Sequence, residues 1–212
     1  MSFIFLFTIG FGTGLSGAMI PGPLFLFTVS ESMKKDSTVG LRIAFGHILI
    51  EAVFVALIFL GLKNFLSSQV FMAAISTVGG LALIAMGVFL MKGVKNMHLT
   101  TDKKVDFDYG SLLGGAFFSI ISPGFLIWWT TIGLSVIVKS LVFGLAGFLM
   151  VALGHWLADI GWHWFVSDFV HKGKHYLKEH HYHNIMRGLA VGLIITGAYF
   201  LMANFGWGLG GK

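Results

Sequence analysis

The chain has 212 residues, 56% of them hydrophobic and only 11% charged, with a mean hydropathy of +0.87 and a formal net charge of +5. This composition excludes an ordinary soluble domain and points to a polytopic helical membrane protein. The absence of cysteine removes disulfides, thiolate metal sites and thiol redox chemistry.

In chain order, the first span covers Phe3 to Ser30, and the run from Ser2 to Ser30 carries no charged side chain. It is too long for a signal-peptide core and has no basic residue before it, so it reads as a retained span. Pro21-Gly22-Pro23 interrupts it. A proline removes a backbone donor and clashes with the preceding turn. At membrane depth such a break is tolerated only where it lines a protein-buried or watery cavity. The second span runs from Val39 to Leu62, the third from Val70 to Met91. A polar loop from Lys92 to Asp108 precedes the fourth span, Tyr109 to Val138, which is charge-free and broken at Pro123-Gly124. Trp128 and Trp129 lie just past that break, where either can wall a cavity. The fifth span runs from Leu141 to Phe165, a His- and Lys-rich loop covers 166–187, and the sixth span runs from Gly188 to Phe205.

The loops after spans one, three and five hold eleven of the fourteen Lys and Arg residues. The positive-inside rule then places those loops, the His-rich one included, in the cytoplasm and both termini outside. The expected location is the cell (plasma) membrane, multi-pass. The basic balance is accounted for by these loops and calls for no nucleic-acid partner.

The halves repeat a pattern. Gly46-His47 is followed three residues later by Glu51, and Gly154-His155 by Asp159, each downstream of a Pro-Gly break. Three spans separate the copies, so the second crosses in the opposite sense. The expected architecture is all-α, with six transmembrane helices built as an inverted 3+3 repeat and broken first and fourth helices. It forms one domain over 1–212, with repeat one at 3–92, a cytoplasmic loop at 93–108 and repeat two at 109–206.

Glu51 and Asp159 are the acids well inside a span, where a charge costs at least a few kcal/mol and usually serves a function. His47 and Glu51 share a helix face, as do His155 and Asp159. Such pairs suit binding of a proton or a substrate cation; the bland reading is an interhelical clamp. Unwound backbone at Pro21, Gly22, Pro23, Pro123 and Gly124, with Trp128, suits a substrate's ammonium and carboxylate. Glycines at spacing four, Gly10 with Gly14 and Gly110 with Gly114, read as helix packing. The histidines from His171 to His183 tempt a metal reading, but their spacing follows no fixed motif. No resident metal or cofactor is called for.

Gly17-Ala18-Met19-Ile20-Pro21-Gly22-Pro23, then Gly40 with Arg42 and Gly46-His47, resemble the lysine-exporter (LysE/RhtB) family of amino-acid translocators. Ser122-Pro123-Gly124 departs from the family's Asn-Pro stretch. The resemblance implies export of amino acids from the cytoplasm, usually coupled to a proton gradient. The expected function is therefore a secondary transporter exporting cationic or small neutral amino acids by proton antiport, with amino acid, proton and lipid bilayer as partners. The chain is expected not to be an enzyme, and a homodimer is compatible with the sequence. The rival within transport is a divalent metal-ion exporter using the His/acid pairs. An intramembrane metal-dependent enzyme lacks a nucleophile motif, and a scaffold leaves both breaks unexplained.

Overall fold

The computed structural model describes residues 2–20, 22–66, 68–96 and 109–209. All regular structure among them is helical. The helices are α1 (Phe3–Ala18), α2 (Pro23–Lys34), α3 (Val39–Phe59), α4 (Lys63–Leu66) and α5 (Gln69–Gly93), then α6 (Tyr109–Ile120), α7 (Pro123–Trp128), α8 (Leu134–Leu141), α9 (Gly144–Lys174) and α10 (Glu179–Leu209). A 3-10 turn, Val94–Asn96, follows α5, and a π-helical turn, Trp129–Gly133, joins α7 to α8. Five helical runs are long and apolar enough to cross a membrane, and the bent pair α1 and α2 makes a sixth. Large apolar side chains such as Ile4, Leu60, Val70, Phe89 and Val142 point outward, as a lipid-facing surface requires.

Both expected breaks are present. The axes of α1 and α2 meet at 77°; Pro21 itself lies outside the described residues. In the second half, helix stops at Ile120, Ser122 is extended and caps the amide of Phe125, and α7 starts at Pro123. Pro23 and Pro123 sit in the first turns of their helices, where the missing N–H has no intrahelical partner to lose.

The expected loop at 166–187 is a correction: it is mostly helix. Span five continues to Lys174 and span six begins at Glu179. The extension of α9 is held by tertiary contacts. The Ser167 hydroxyl donates to the Ser37 carbonyl at 2.9 Å and accepts from the Gly40 amide at 3.1 Å, while Lys174 Nζ donates to the Lys35 carbonyl at 2.9 Å. Tyr182 and Met186 of α10 are buried against Val94 and Leu90, so the chain has reason to be helical there too. The expected loop at Lys92 to Asp108 lies, from residue 97 on, outside the described residues.

Close helix approach depends on glycine. A Cβ on Gly10 would lie 2.1 Å from the Val151 carbonyl oxygen, and one on Gly154 2.2 Å from that of Phe7, so α1 and α9 touch backbone to backbone. Gly46 and Gly115 do the same for α3 and α6, with 1.9 Å to the Leu112 oxygen and 2.2 Å to that of Ile43. Two apolar clusters flank this arrangement, one around Ile43, Leu83 and Met186, the other around Phe54, Met72 and Ile137.

Asp36, between α2 and α3, accepts from Arg42 Nη2 at 2.7 and 2.6 Å and from the Thr38 amide at 2.8 Å. Burial pushes its carboxyl up, but the Thr38 and Arg42 hydrogen bonds outweigh this and hold it below the usual 3.8. A carboxyl lowered on folding adds stability that is present above its unfolded value and lost as pH falls through its folded one. The melting temperature of Asp36→Asn in detergent should therefore lie below that of the parent at pH 7. The gap should close as pH is taken below 3.8. Gly46→Ala should lower stability by about 1–3 kcal/mol through overpacking. Gly12→Ala, whose added Cβ meets nothing within 4 Å, should not.

Candidate functional site

The breaks and the His/acid pairs meet in one place. A cavity of about 110 Å³ is lined by Gly22, Pro23, Gly124 and Trp128 from the broken helices and by His47, Glu51, His155 and Asp159 from α3 and α9. That is room for several waters or one small solute. Pro123 is buried at the start of α7 just behind Gly124. Pro21, also expected here, lies outside the described residues. Glu51 and Asp159 are 2% and 1% exposed, so neither carboxyl faces the lipid.

Glu51 is the centre. Its Oε1 lies 3.0 Å from His155 Nε2 and 3.2 Å from His47 Nε2, and accepts from Trp129 Nε1 at 3.2 Å. Three nitrogens from three elements thus converge on one oxygen. Asp159 Oδ2 lies 3.4 Å from His155 Nε2. The other Glu51 oxygen, Oε2, and Asp159 Oδ2 are buried without a hydrogen-bond partner. Buried polar atoms nearly always have one, so these two oxygens keep acceptor capacity that the surrounding side chains leave unused. One ligand atom each from His47, Glu51 and Asp159 lie within 4.8 Å of one another.

The hydroxyls around the site fix two of the rings. Ser119 Oγ donates to the Gly115 carbonyl at 2.6 Å, so it can only accept from His47 Nδ1 at 2.7 Å. The His47 proton is therefore on Nδ1, and Nε2 faces Glu51 with a lone pair unless a second proton joins it. A close Nε2–Oε1 contact needs a proton between the two atoms, on either one. The 3.2 Å contact therefore holds one proton, on Nε2 or on Oε1. His163, one turn beyond Asp159, is set the same way. Thr28 Oγ1 donates to the Leu24 carbonyl at 2.9 Å and accepts from His163 Nδ1 at 3.1 Å.

Ser119, Thr28 and His163 are the site residues that sequence reasoning missed, together with the bond that Trp129, expected only as a cavity wall, makes to Glu51. His163 did carry a signal, since it continues the face of His155 and Asp159 at helical spacing. The others come from different helices and have no local signature. The histidines from His171 to His183 do not line the cavity; His171 Nδ1 donates to the Lys35 carbonyl at 2.9 Å, and the ring packs against His175. Ser119→Ala should leave the buried Nδ1–H of His47 without an acceptor and cost about 1–3 kcal/mol. A thermal melt checks this, with Ser16→Ala, an exposed hydroxyl on α1, as the neutral comparison.

Among curated proteins and among solved structures, no match was found. A family model described as LysE type translocator matches residues 15–204, which takes in both helix breaks, both Gly-His-x-x-x-acid stretches and, Gly14 apart, the lining of the cavity. The chain is a multi-pass membrane protein, and it belongs to the LysE type translocator family.

Proposed function

We propose that the protein is a secondary transporter that exports amino acids, cationic or small neutral, by proton antiport through alternating access. The observation that carries this reading is the pair of buried carboxyl groups, Glu51 and Asp159, whose Oε2 and Oδ2 have no hydrogen-bond partner although His155 Nε2 stands 3.4 Å from the latter, in a cavity that also offers a proton place between His47 and Glu51. A substrate ammonium needs such acceptors. A proton on Glu51 removes the charge that would hold it. Proton and ammonium thus compete for the same carboxylates, and competition for one site exposed alternately to two sides is antiport. The extended residues that precede α2 and α7 supply backbone groups for the substrate's carboxylate.

The glycine contacts support an inverted repeat as the moving frame, with repeat one at 3–92 and repeat two at 109–206. Gly154 meets the Phe7 oxygen and Phe11 nitrogen; Gly46 meets the Leu112 oxygen and Ala116 nitrogen. Gly10 meets Val151, and Gly115 meets Ile43. A shift of 105 residues turns the α1 set into the α6 set, and a shift of 108 turns the α3 set into the α9 set. Within each pair the helices run parallel. Since Glu51 and Gly40 of α3 meet His155 and His163 of α9, the two pairs run in opposite directions. Lys34, Lys35, Arg42 and Lys174 gather at one end of the bundle; by the positive-inside rule that end is cytoplasmic and the termini are outside.

A second reading, a divalent metal-ion exporter, is favoured by the His47, Glu51 and Asp159 ligand atoms and by the Ser119 contact. A ligating histidine usually donates its other N–H to an acceptor, as His47 does here. Proteoliposomes separate the two. Counterflow of labelled amino acid with no uptake of Mn²⁺ or Zn²⁺ supports the first reading, and the reverse supports the second. In the first case Glu51→Gln and Asp159→Asn should each lower counterflow at least about tenfold, or 1.4 kcal/mol, with melting temperature retained. Variants that fail to fold would instead favour an interhelical clamp.

A further inference from the structure

A second cavity, of about 140 Å³, lies behind the first. On α3 the first cavity touches His47 and Glu51 and the second touches Ala52 and Val55. On antiparallel α9 the first touches Asp159 and His163 and the second Val151 and Ala152. The two are therefore stacked along the bundle, the second away from the end that holds Lys34, Arg42 and Lys174. They share three residues, Trp128, Trp129 and His155.

Those three rings are the partition. The centroid of His155 is 5.0 Å from Trp128 and 5.3 Å from Trp129, and the two indoles are 5.2 Å apart. Trp129 opens the π-helical turn that Gly133 closes. A Cβ on Gly133 would come within 2.6 Å of the Trp129 ring and 2.8 Å of the Trp128 ring, so both indoles lie back against a position only glycine leaves free. π-Turns recur at functional sites, where a wider turn carries side chains that the regular helix would misplace.

The chambers differ in chemistry. The first holds two carboxylates and three imidazoles. The second is walled by Val55, Val136, Ile137, Phe148 and Val151, and among the described residues its lining includes no Asp, Glu, Lys or Arg. We propose that the second chamber selects the substrate by its side chain. The ammonium and carboxylate stay among the polar groups of the first cavity, and the side chain passes the indole partition into the apolar one. The substrate is then a neutral amino acid with an aliphatic side chain. A lysine side chain would carry its ammonium into a space with no counter-charge, and an unpaired buried charge is strongly disfavoured. Glycine or alanine would leave the apolar chamber unfilled and forfeit its contacts. This inference rests on the amino-acid reading above and narrows it.

The test is counterflow in proteoliposomes holding the purified full chain, with leucine, valine, alanine and lysine compared. Leucine and valine should exceed lysine by about tenfold or more, because lysine would leave an unpaired charge in the apolar chamber. They should exceed alanine by about tenfold, the range that one or two methylenes command in an apolar pocket. Ala152→Leu, which fills the second chamber, should move the leucine-to-alanine ratio about tenfold toward alanine. Lysine counterflow equal to leucine overturns the inference and leaves the amino-acid reading standing. So does an unmoved ratio in a folded Ala152→Leu variant. Should that variant not fold, the ranking in the unaltered protein decides alone. If none of the four amino acids counterflows, the amino-acid reading fails, and this inference with it.

Discussion

One oxygen organises this molecule. Glu51 Oε1 is approached at 3.0–3.2 Å by His47, His155 and Trp129, which come from α3, α9 and the π-turn. A carboxylate in a bilayer interior is costly unless donors surround it, and removing one donor from a buried polar network costs more than the bond is worth in water. The need to bring three nitrogens to one point fixes how close α3, α9 and the α7–α8 segment must lie. Bulky residues at the crossings would hold them apart. Gly46, Gly115, Gly10 and Gly154 are the concession that makes the approach possible, each standing where a methyl group would strike a backbone atom.

The breaks answer a second constraint. Helices that touch backbone to backbone leave no room between them for a solute. Ending α1 at Ala18 and α6 at Ile120, then restarting at Pro23 and Pro123, turns the chain aside where the cavity lies. The interruption is kept satisfied locally. Ser122 caps Phe125, and the prolines occupy first-turn positions that have no donor to lose. The two apolar clusters lie on either side, so the polar hollow is bounded by well-packed protein and needs no water from the lipid face.

Much of this was legible in the residue order. A run without charge announces a span, a proline inside it announces a break, and an acid four residues from a histidine announces a shared face. Glu51, Asp159, His47 and His155 could be named on those grounds, and they do meet. The helical extent of 166–187 was not legible. Charge-rich sequence at a membrane surface looks like loop, whereas α9 is held in register by Ser167 and Lys174 reaching the α2–α3 link 130 or more positions earlier. Nor was the bond of Trp129 to Glu51, because an indole next to a break reads as a cavity wall without naming its partner. Its role depends on the π-turn, and that turn follows from packing against Gly133 with no pattern in spacing to betray it.

The matched contacts also expose a difference between the two halves. The shift that aligns Gly10 with Gly115 aligns Gly14 with Ser119. Ser119 gives His47 a hydroxyl to bond, 2.7 Å from Nδ1. At the matched place Gly14 offers no side chain, and a Cβ there would lie 2.8 Å from Nδ1 of His155. His47 is thus oriented by a hydrogen bond that dictates its tautomer, while His155 is oriented by the faces and edges of Trp128 and Trp129. Ring packing fixes where the His155 imidazole lies, and it is the two carboxyl groups facing Nε2 that favour a proton there. His155 is also the histidine that reaches both acids, Glu51 at 3.0 Å and Asp159 at 3.4 Å, and the one that touches both cavities. The half with the fixed tautomer holds the central carboxylate in place. In the other half His155 stands between the two acids and between the two cavities, held by ring contacts where His47 is held by a hydroxyl.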